Sequence, residues 1–354
     1  MSKNWLLYGA NGYSGKLIIN EALERGHQPI LAGRSQERIA SLAQQYKLEQ
    51  RIFDTASGPE AIEPALENVS LVCNAAGPFV HTAFPIVSAC LKTKTHYVDI
   101  TGEIPVFERV HSYHHRAKKR GIAFVSGVGF DVVPTDCLAK YTADKLPDAT
   151  ELEIDFEGLG GGFSRGTLLT MLEHISRGIL VRKNRHLINK GLAARGKTVE
   201  FPGHSATVFP ITWGDLSTAY HSTGIPNIEI YAALKGKLFS MNAFVRKLVF
   251  ISLKNRFIRS RVMNYVKNHV TGPGERERRE GHSHIRVWVR NEKGDSEEAW
   301  LITVEGYRFT ALASVRSVEK VLEGSITGAL TPSQAFGADF VLEIPNTKRF
   351  DSPG

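Results

Sequence analysis

The amino-acid sequence predicts an α/β protein in which an N-terminal doubly wound parallel sheet is followed by an α+β domain with a mostly antiparallel sheet. Two observations support this fold class. In the first 130 residues, short apolar runs alternate with segments of helical periodicity, which is typical of βαβ units. After residue 150, strands with strictly alternating polarity appear, as in ELEIDFE at 151–157. A chain of 354 residues is long enough for two such domains.

The first domain is expected to cover residues 1–130 and to contain six strands joined by helices. The predicted strands are 4–8, 29–33, 50–53, 70–75, 95–99 and 122–126, and the predicted helices are 14–26, 35–46, 57–67, 85–91 and 106–120. Six strands that alternate with helices over this length fit a doubly wound parallel sheet.

The second domain is expected to cover residues 131–328. Its predicted strands are 151–157, 205–211, 227–232, 284–289 and 298–307, and its predicted helices are 167–180, 242–268 and 311–322. The remaining segment, 329–354, contains a last predicted helix at 332–340 with Pro332 near its start.

The net charge of +8 is concentrated in two segments that contain no acidic residue. Residues 174–198 contain seven Lys and Arg and residues 234–269 contain nine, so basic helices are expected near 174–198 and at 242–268. Phe244, Leu248, Ile251, Ile258, Val262 and Tyr265 recur at helical spacing in the second segment. A solvated basic face is the simplest interpretation. The alternatives are docking to an anionic membrane surface or to an acidic acyl-carrier protein. No nucleic-acid reader motif is present, so no nucleic-acid partner is expected.

The chain shows no apolar stretch long enough to span a bilayer and no secretory leader, which predicts a cytoplasmic protein, peripheral at the inner face of a membrane if the basic segment docks there. Cys73, Cys90 and Cys137 are odd in number and lack metal-binding spacing, so reduced thiols are expected. His111 and His115 stand four apart on a helix, but no carboxylate at ligand spacing accompanies them, and no metal site is predicted.

The turn between the first strand and the first helix has the spacing G-x-x-G-x-x-G. Its predicted cofactor-binding residues are Gly9, Ala10, Asn11, Gly12, Tyr13, Ser14 and Gly15. Glycine at these places allows a tight turn, close approach of a pyrophosphate, and close packing of helix on strand. The helix N-terminus then presents N–H groups to phosphates. A merely flexible turn is the alternative, but the strand before and the helix after it favour a Rossmann dinucleotide-binding domain.

The end of the second predicted strand indicates which dinucleotide is bound. An acidic residue there would bind the ribose 2′-OH of NAD, but this chain has Arg34 and Ser35 instead. Arg34 can pair with a 2′-phosphate, which predicts NADP(H). A solvent-exposed loop arginine is the alternative.

The end of the fourth predicted strand adds further candidate cofactor-binding residues. They are Asn74, Ala75, Ala76, Gly77 and Pro78. Carboxyl ends of strands line the ligand crevice of such sheets, and small residues there let a dinucleotide lie against the backbone. A Gly-Pro turn without a ligand is the alternative.

Several stretches follow one another in the order seen in one family. They are GANGYSG (9–15), AGR (32–34), NAAGPF (74–79), YVDITGE (97–103), GFDVVPTD (129–136) and FSRGT (163–167). Together they resemble the saccharopine dehydrogenase-like oxidoreductases, closest to the branch that includes trans-acting enoyl reductases. The resemblance covers the first 170 residues well and the rest loosely. It implies an NADP-binding Rossmann domain, a second domain that dimerises or caps the active site, and a C-terminal helix that returns to the first domain.

The candidates for a proton donor or a substrate-positioning group are Tyr97, at the end of the fifth predicted strand, and Asp131, just beyond the sixth. Helix capping or turn formation near Pro134 is the alternative role for Asp131. Ser126, Tyr141 and Lys145 form a rival set, because short-chain dehydrogenases use these residue types together.

The sequence thus predicts an NADP(H)-dependent oxidoreductase that reduces a C=C or C=N bond of a small-molecule or acyl substrate. Two alternatives remain at this point. One is a non-catalytic NADPH-binding sensor or scaffold associated with a membrane. The other is a saccharopine-type amino-acid dehydrogenase, although the sequence shows no distinctive set of residues for holding two amino acids.

Overall fold

The computed structural model describes residues 4–159, 178–191, 196–234 and 251–353, together with positions 166, 168, 169, 172, 248 and 249. Its contacts divide the chain into two units. The first unit consists of Met1–Val133 and Tyr307–Ile344, and the second consists of Pro134–Gly306 and Pro345–Gly354.

The described residues form sixteen strands. In chain order they are β1 (Trp5–Tyr8), β2 (Ile30–Gly33), β3 (Gln50–Ile52), β4 (Leu71–Asn74), β5 (His96–Asp99), β6 (Ala123–Ser126), β7 (Glu151–Leu159), β8 (Leu180–Lys183), β9 (His186–Asn189), β10 (Lys197–Phe201), β11 (His204–Pro210), β12 (Asn227–Ala232), β13 (His282–Arg290), β14 (Ser296–Val304), β15 (Gly328–Leu330) and β16 (Lys348–Phe350).

The α-helices of the described residues are Tyr13–Glu24, Gln36–Tyr46, Pro59–Ile62, Phe79–Thr93, Ile104–His111, His114–Arg120, Val133–Lys145, Asp215–Thr223, Arg256–His269, Glu275–Glu280, Gly306–Leu322 and Pro332–Phe336. Short 3₁₀ turns occur at Thr55–Ser57, Glu63–Leu66 and Phe340–Glu343. None of the described helices is both long enough and apolar enough to cross a membrane.

The predicted parallel sheet of the first unit is confirmed. Its strand order is β15-β6-β5-β4-β1-β2-β3, and every neighbouring pair is parallel. Alternate residues of the strands enter two separate cores. For example, Leu6 and Val72 pack on one face, whereas Leu7 and Cys73 pack on the other. Because both faces are covered, central strands such as β1 are continuous apolar runs. All carboxyl ends meet at one edge, where ligands bind in such sheets.

The seventh strand, β15, was not predicted, and it lies in a segment that returns late in the chain. The helix Gly306–Leu322 buries Val315 and Val318 in one core of the first unit, and β15 then pairs with β6. The sequence assigned residues up to 328 to the second domain, whereas the return to the first unit begins at Tyr307. Residues from Pro345 belong to the second unit because β16 pairs with β14.

The second unit contains a mostly antiparallel sheet, as predicted. Its strand order is β10-β11-β12-β7-β13-β14-β16, and β8 and β9 attach beside β12. The pair β7–β12 is parallel, whereas β7 and β13 form an antiparallel pair in which Glu151 lies opposite Arg290. The alternating sequence of β7 predicts one exposed face, but Asp155 and Glu157 on that face are also buried.

The prediction of a basic helix near 174–198 is wrong for the part of this segment that the structure describes. Strands β8 and β9 form an antiparallel hairpin in which Lys183 pairs with His186. The two intervening residues, Asn184 and Arg185, both have positive φ, of 49° and 71°. Two such residues form the tight turn whose twist matches paired strands. Positions 192–195 and most of the predicted helix 167–180 lie outside the described residues.

The predicted helix 242–268 does not run without a break through its described part. The helix Arg256–His269 has its own N-cap, because the side chain of Asn255 accepts hydrogen bonds from the backbone N–H groups of Phe257 and Ile258. Asparagine favours this position for that reason. Residues 235–247 and 250 lie outside the described residues.

Candidate active site

The glycine turn between β1 and the helix Tyr13–Glu24 is tightly packed, as a dinucleotide cradle requires. Gly9 has φ +85°, and a Cβ on it would lie 2.8 Å from the backbone nitrogen of Ala76. A Cβ on Gly15 would lie 2.4 Å from the carbonyl oxygen of Gly9. Only glycine fits at both positions. The turn is therefore held against the loop that follows β4.

The N-terminus of the helix Tyr13–Glu24 suits a phosphate. Its N-cap is Gly12, and no side chain of the described residues caps it. The backbone of Gly12 instead donates to the carbonyl of Gly9, at 2.9 Å. Such a terminus combines N–H donors with the positive end of the helix dipole. Ala10 is buried, whereas Asn11, Tyr13 and Ser14 are half-buried and border this terminus.

Arg34 and Ser35 follow the end of β2. Arg34 is exposed and forms no ion pair or hydrogen bond with another described residue. Ser35 is half-buried and is the N-cap of the helix Gln36–Tyr46, but its side chain makes no capping hydrogen bond. The side chain of Asn11 lies near Gly33, since a Cβ on Gly33 would be 3.6 Å from Asn11 Oδ1. The guanidinium of Arg34 and the hydroxyl of Ser35 therefore lie beside the glycine turn, where they can bind a phosphate.

The loop after β4 is fixed by the side chain of Asn74. Asn74 is fully buried, its Oδ1 accepts from the backbone N–H of Ala76 at 3.0 Å, and its Nδ2 donates to Thr82 at 3.1 Å. Thr82 in turn donates to the carbonyl of Ala76 at 2.6 Å. Ala75 and Ala76 are half-buried, and Gly77 and Pro78 are exposed. Asn74 thus shapes the loop, and the small residues after it form the surface.

We expect Gly15→Ala to disrupt the cradle. The added methyl would meet the carbonyl oxygens of Gly9 and Ala10, at 2.4 and 2.9 Å, and backbone atoms cannot rotate away as a side chain can. Overpacking of this kind costs about 1–3 kcal/mol. Thermal unfolding and NADPH titration should show a lower melting temperature and weaker binding. Gly158→Ala is the matched control, because no atom of the described residues lies within 4 Å of its added methyl. Equal NADPH affinity in the two variants would contradict the cradle.

A hydrogen-bonded carboxylate lies at the end of β5. Asp99 is fully buried, and its Oδ1 accepts from the backbone N–H groups of Thr101, at 3.1 Å, and Gly127, at 2.9 Å. Its Oδ2 accepts from the hydroxyl of Ser126 at 3.0 Å. Burial raises the pKa of Asp99 to about 6, although these hydrogen bonds oppose the shift. Asp99 therefore ties the loops after β5 and β6 together.

Tyr97 lies on the same side of β5 as Asp99, inside one core of the first unit. It is fully buried, and its hydroxyl accepts a hydrogen bond from Asn74 Nδ2 at 3.2 Å. Burial and the nearby Asp99 raise the pKa of Tyr97 well above its ordinary value. Because Tyr97 has no exposed surface, it is placed to support Asn74 and Asp99 and not to contact a substrate.

Asp131 lies beyond the end of β6, in the first unit. Its carboxylate is next to Gly102 in the loop after β5, because a Cβ on Gly102 would lie 2.8 Å from Asp131 Oδ2. The residue keeps partial exposure, and burial of its carboxyl raises the pKa to about 6. A carboxylic acid with this pKa can hold a proton close to neutral pH.

The rival set of Ser126, Tyr141 and Lys145 has other partners. Ser126 donates to Asp99, whereas Tyr141 donates to Asp351 at 3.0 Å and Lys145 forms an ion pair with the same carboxylate. These contacts give the three residues structural roles. Ser164, Arg165 and Thr167 of the FSRGT stretch lie outside the described residues.

Two features of this edge were not predicted. The buried carboxylate of Glu103 accepts from the backbone N–H groups of Phe79, at 2.8 Å, and Val80, at 2.9 Å, and so caps the helix Phe79–Thr93. The ring of Tyr307 packs edge-on against Tyr13, with centroids 5.0 Å apart. The polar residues Asp99, Thr101 and Glu103 at alternate positions after β5 were the sequence signal for the contact of Glu103. No sequence signal connects Tyr13 with Tyr307.

Comparisons with known proteins agree with this geometry. Residues 5–125 match the saccharopine dehydrogenase NADP-binding domain. A trans-acting enoyl reductase of Mycobacterium leprae is 36% identical over 141 residues, which are 37% of this chain and 33% of the relative. A Mycobacterium tuberculosis protein, provisionally named a trans-acting enoyl reductase, is 33% identical over 184 residues, or 48% of this chain and 44% of its own. The matches thus span less than half the length of either relative.

The fold is also that of a solved enzyme. The apo saccharopine dehydrogenase (L-Glu forming) of Saccharomyces cerevisiae superposes with a TM-score of 0.63 over 99% of this chain and 100% of the yeast chain, at 15% identity. The predicted cofactor, NADP(H), is the one that the matched domain family binds, and the crowded glycine turn, the uncapped helix and Arg34 fit it. Residues 5–125 therefore match the saccharopine dehydrogenase NADP-binding domain, and the predicted resemblance to the saccharopine dehydrogenase-like oxidoreductases is confirmed over that part of the chain.

Proposed function

We propose that the protein is an NADPH-dependent reductase of a C=C bond in an enoyl substrate. The NADP-binding domain supports the cofactor, and the names of the mycobacterial relatives support the reaction. Those relatives are described as trans-acting, which favours an acyl substrate presented by another molecule. The yeast dehydrogenase supports the fold alone, so it does not favour amino-acid dehydrogenation over enoyl reduction.

The observation that carries the proposal is the position of Asp131. The residue is partly exposed, and its carboxyl lies beyond the end of β6 and beside Gly102 after β5, at the same sheet edge as the glycine turn after β1. A reductase of this kind needs one acid near the reacting carbon atoms. Among the sequence candidates, Asp131 combines partial exposure with a raised pKa, whereas Tyr97 is fully buried.

The chain's own residues have distinct tasks in this reaction. Bound NADPH supplies the hydride that reduces one carbon of the double bond, and the other carbon takes a proton. Asp131 holds that proton on its carboxyl and releases it to the substrate. Asp99 fixes the loops after β5 and β6 through Thr101 and Gly127, and Tyr97 supports Asn74 below the cofactor loop.

The pH dependence of turnover tests the role of Asp131. The pKa of Asp131 is raised from 3.8 to about 6, so the acid form predominates below pH 6 and falls tenfold with each unit above it. We expect the rate of NADPH oxidation with a 2-enoyl thioester to be level below pH 6 and to decrease above it. Asp99 also has a pKa of about 6. The decrease above pH 6 can therefore be attributed to Asp131 only if it disappears in Asp131→Asn. A profile that rises through pH 6 would exclude Asp131 as the acid.

A further inference from the structure

The helix Arg256–His269 and the residues before it carry an unusual set of exposed apolar side chains. Eight large hydrophobic side chains are exposed among the described residues, and five of these lie between positions 248 and 265: Leu248, Ile251, Phe257, Ile258 and Tyr265. Phe257 is 83% exposed and Tyr265 is 63% exposed. Exposed apolar residues that concentrate in one segment mark an interaction surface.

The helix directs these side chains away from its packed face. Val266 is buried, and Val262 and Met263 are half-buried, so they form the inward face at helical spacing. Phe257 and Tyr265 stand eight residues apart on the outer side, with Arg261 midway between them. The aromatic ring of Tyr265 stacks on His269, with centroids 4.4 Å apart. The apolar side chains therefore project to solvent from an element whose other face is occupied.

Cations are interleaved with these apolar side chains. Lys254, Arg256 and Arg261 are exposed, and none of them forms an ion pair with another residue in the described part of the chain. The sequence between 234 and 269 contains no Asp or Glu. The surface thus offers positive charge and apolar side chains together, and the complementary partner is anionic with an apolar interior.

We propose that this surface docks the protein on an anionic lipid bilayer. The helix Arg256–His269 lies in the plane of the membrane, Phe257, Ile258 and Tyr265 enter the boundary between headgroups and acyl chains, and the three cations contact lipid phosphates. A second copy of the chain is a poorer fit, because self-association would bring like charges together. A soluble acidic protein would match the positive charge of this surface. Its charged face would not provide the apolar surroundings that the exposed apolar side chains need.

The test uses the full chain and vesicles of phosphatidylcholine with and without phosphatidylglycerol, at low and high salt. We expect co-sedimentation with the anionic vesicles at low salt, and much less with neutral vesicles or at high salt. Arg256→Gln with Arg261→Gln should weaken binding about 30-fold, and Phe257→Ser about tenfold. Lys118→Gln with Lys119→Gln is the matched control, because these exposed lysines lie on the first unit.

Circular dichroism and thermal unfolding show whether each variant is folded, so that a loss of binding can be assigned to the surface. The proposal is overturned if the anionic vesicles bind no protein at low salt. It is also overturned if the Lys118/Lys119 control loses binding as strongly as the Arg256/Arg261 variant. Variants that abolish dimerisation or binding of an acidic carrier protein, with vesicle binding absent, would assign the surface to those partners instead. None of these readouts depends on the proposed reductase activity.

Discussion

Asp131→Asn is expected to lower kcat for enoyl reduction by about 10²–10⁴-fold, the range that a positioned general acid contributes. The amide keeps the shape of the carboxyl beside Gly102 but cannot release a proton. The affinity for NADPH should stay near that of the wild-type protein, because the cradle is formed by the turn after β1 and the loop after β4. Steady-state kinetics combined with fluorescence titration of NADPH separates the two effects.

Asp144→Asn controls for the loss of one negative charge, since the side chain of Asp144 is 58% exposed and pairs only with Lys140 among the described residues. This variant should keep wild-type kcat. If Asp131→Asn also keeps wild-type kcat, another group donates the proton. If it loses NADPH affinity and kcat together, Asp131 supports the cofactor site rather than the chemistry.

Arg34→Ala is expected to weaken NADPH binding by about 10–100-fold and to leave NADH binding almost unchanged. Charge-assisted hydrogen bonds are worth about 1.5–3 kcal/mol, and Arg34 is an exposed cation at the end of β2 without a partner among the described residues. Since NADH lacks the 2′-phosphate, the ratio of the two affinities isolates this contact. Isothermal titration of both dinucleotides measures the ratio directly.

Arg38→Ala is the matched control for Arg34, because Arg38 is an exposed arginine one turn along the adjoining helix Gln36–Tyr46. It removes the same charge without removing the proposed phosphate contact. An equal loss of NADPH affinity in both variants would indicate general electrostatic attraction. A loss of NADH affinity in Arg34→Ala would show that the residue contacts adenosine instead of the phosphate.

Local patterns made the first sheet predictable. Most of the strands β1 to β6 are short apolar runs between helices, and each of the six appears within a few residues of its predicted position. The strand β15 could not be found in this way, because three residues between turns carry too little pattern, and its partner β6 lies about 200 residues earlier. The hairpin β8–β9 was missed because Asn184 and Arg185 are not glycines, although both adopt positive φ.

The cofactor turn was also predictable, because its glycines are required by local crowding. The hydrogen bonds among the residues at the ends of β4 and β5 could not be predicted. Asn74 lies opposite Asp99 in the register of β4 and β5, and this register places Tyr97 under Asn74. A sequence shows which residues end each strand, but it does not give the register or the burial. Tyr97 and Asp131 therefore looked equivalent as candidates, whereas their exposure in the structure distinguishes them.

Transfer of deuterium from NADPH to a 2-enoyl thioester tests the central claim most directly. The full chain is incubated with 4-deuterated NADPH of each stereochemistry and with thioesters of several acyl lengths, and the products are analysed by mass spectrometry. The proposal predicts a saturated product that carries one deuterium from one of the two cofactors, formed about 10²–10⁴-fold more slowly with Asp131→Asn. Tight binding of NADPH without deuterium transfer to any of the thioesters would contradict it and favour a non-catalytic NADPH-binding role.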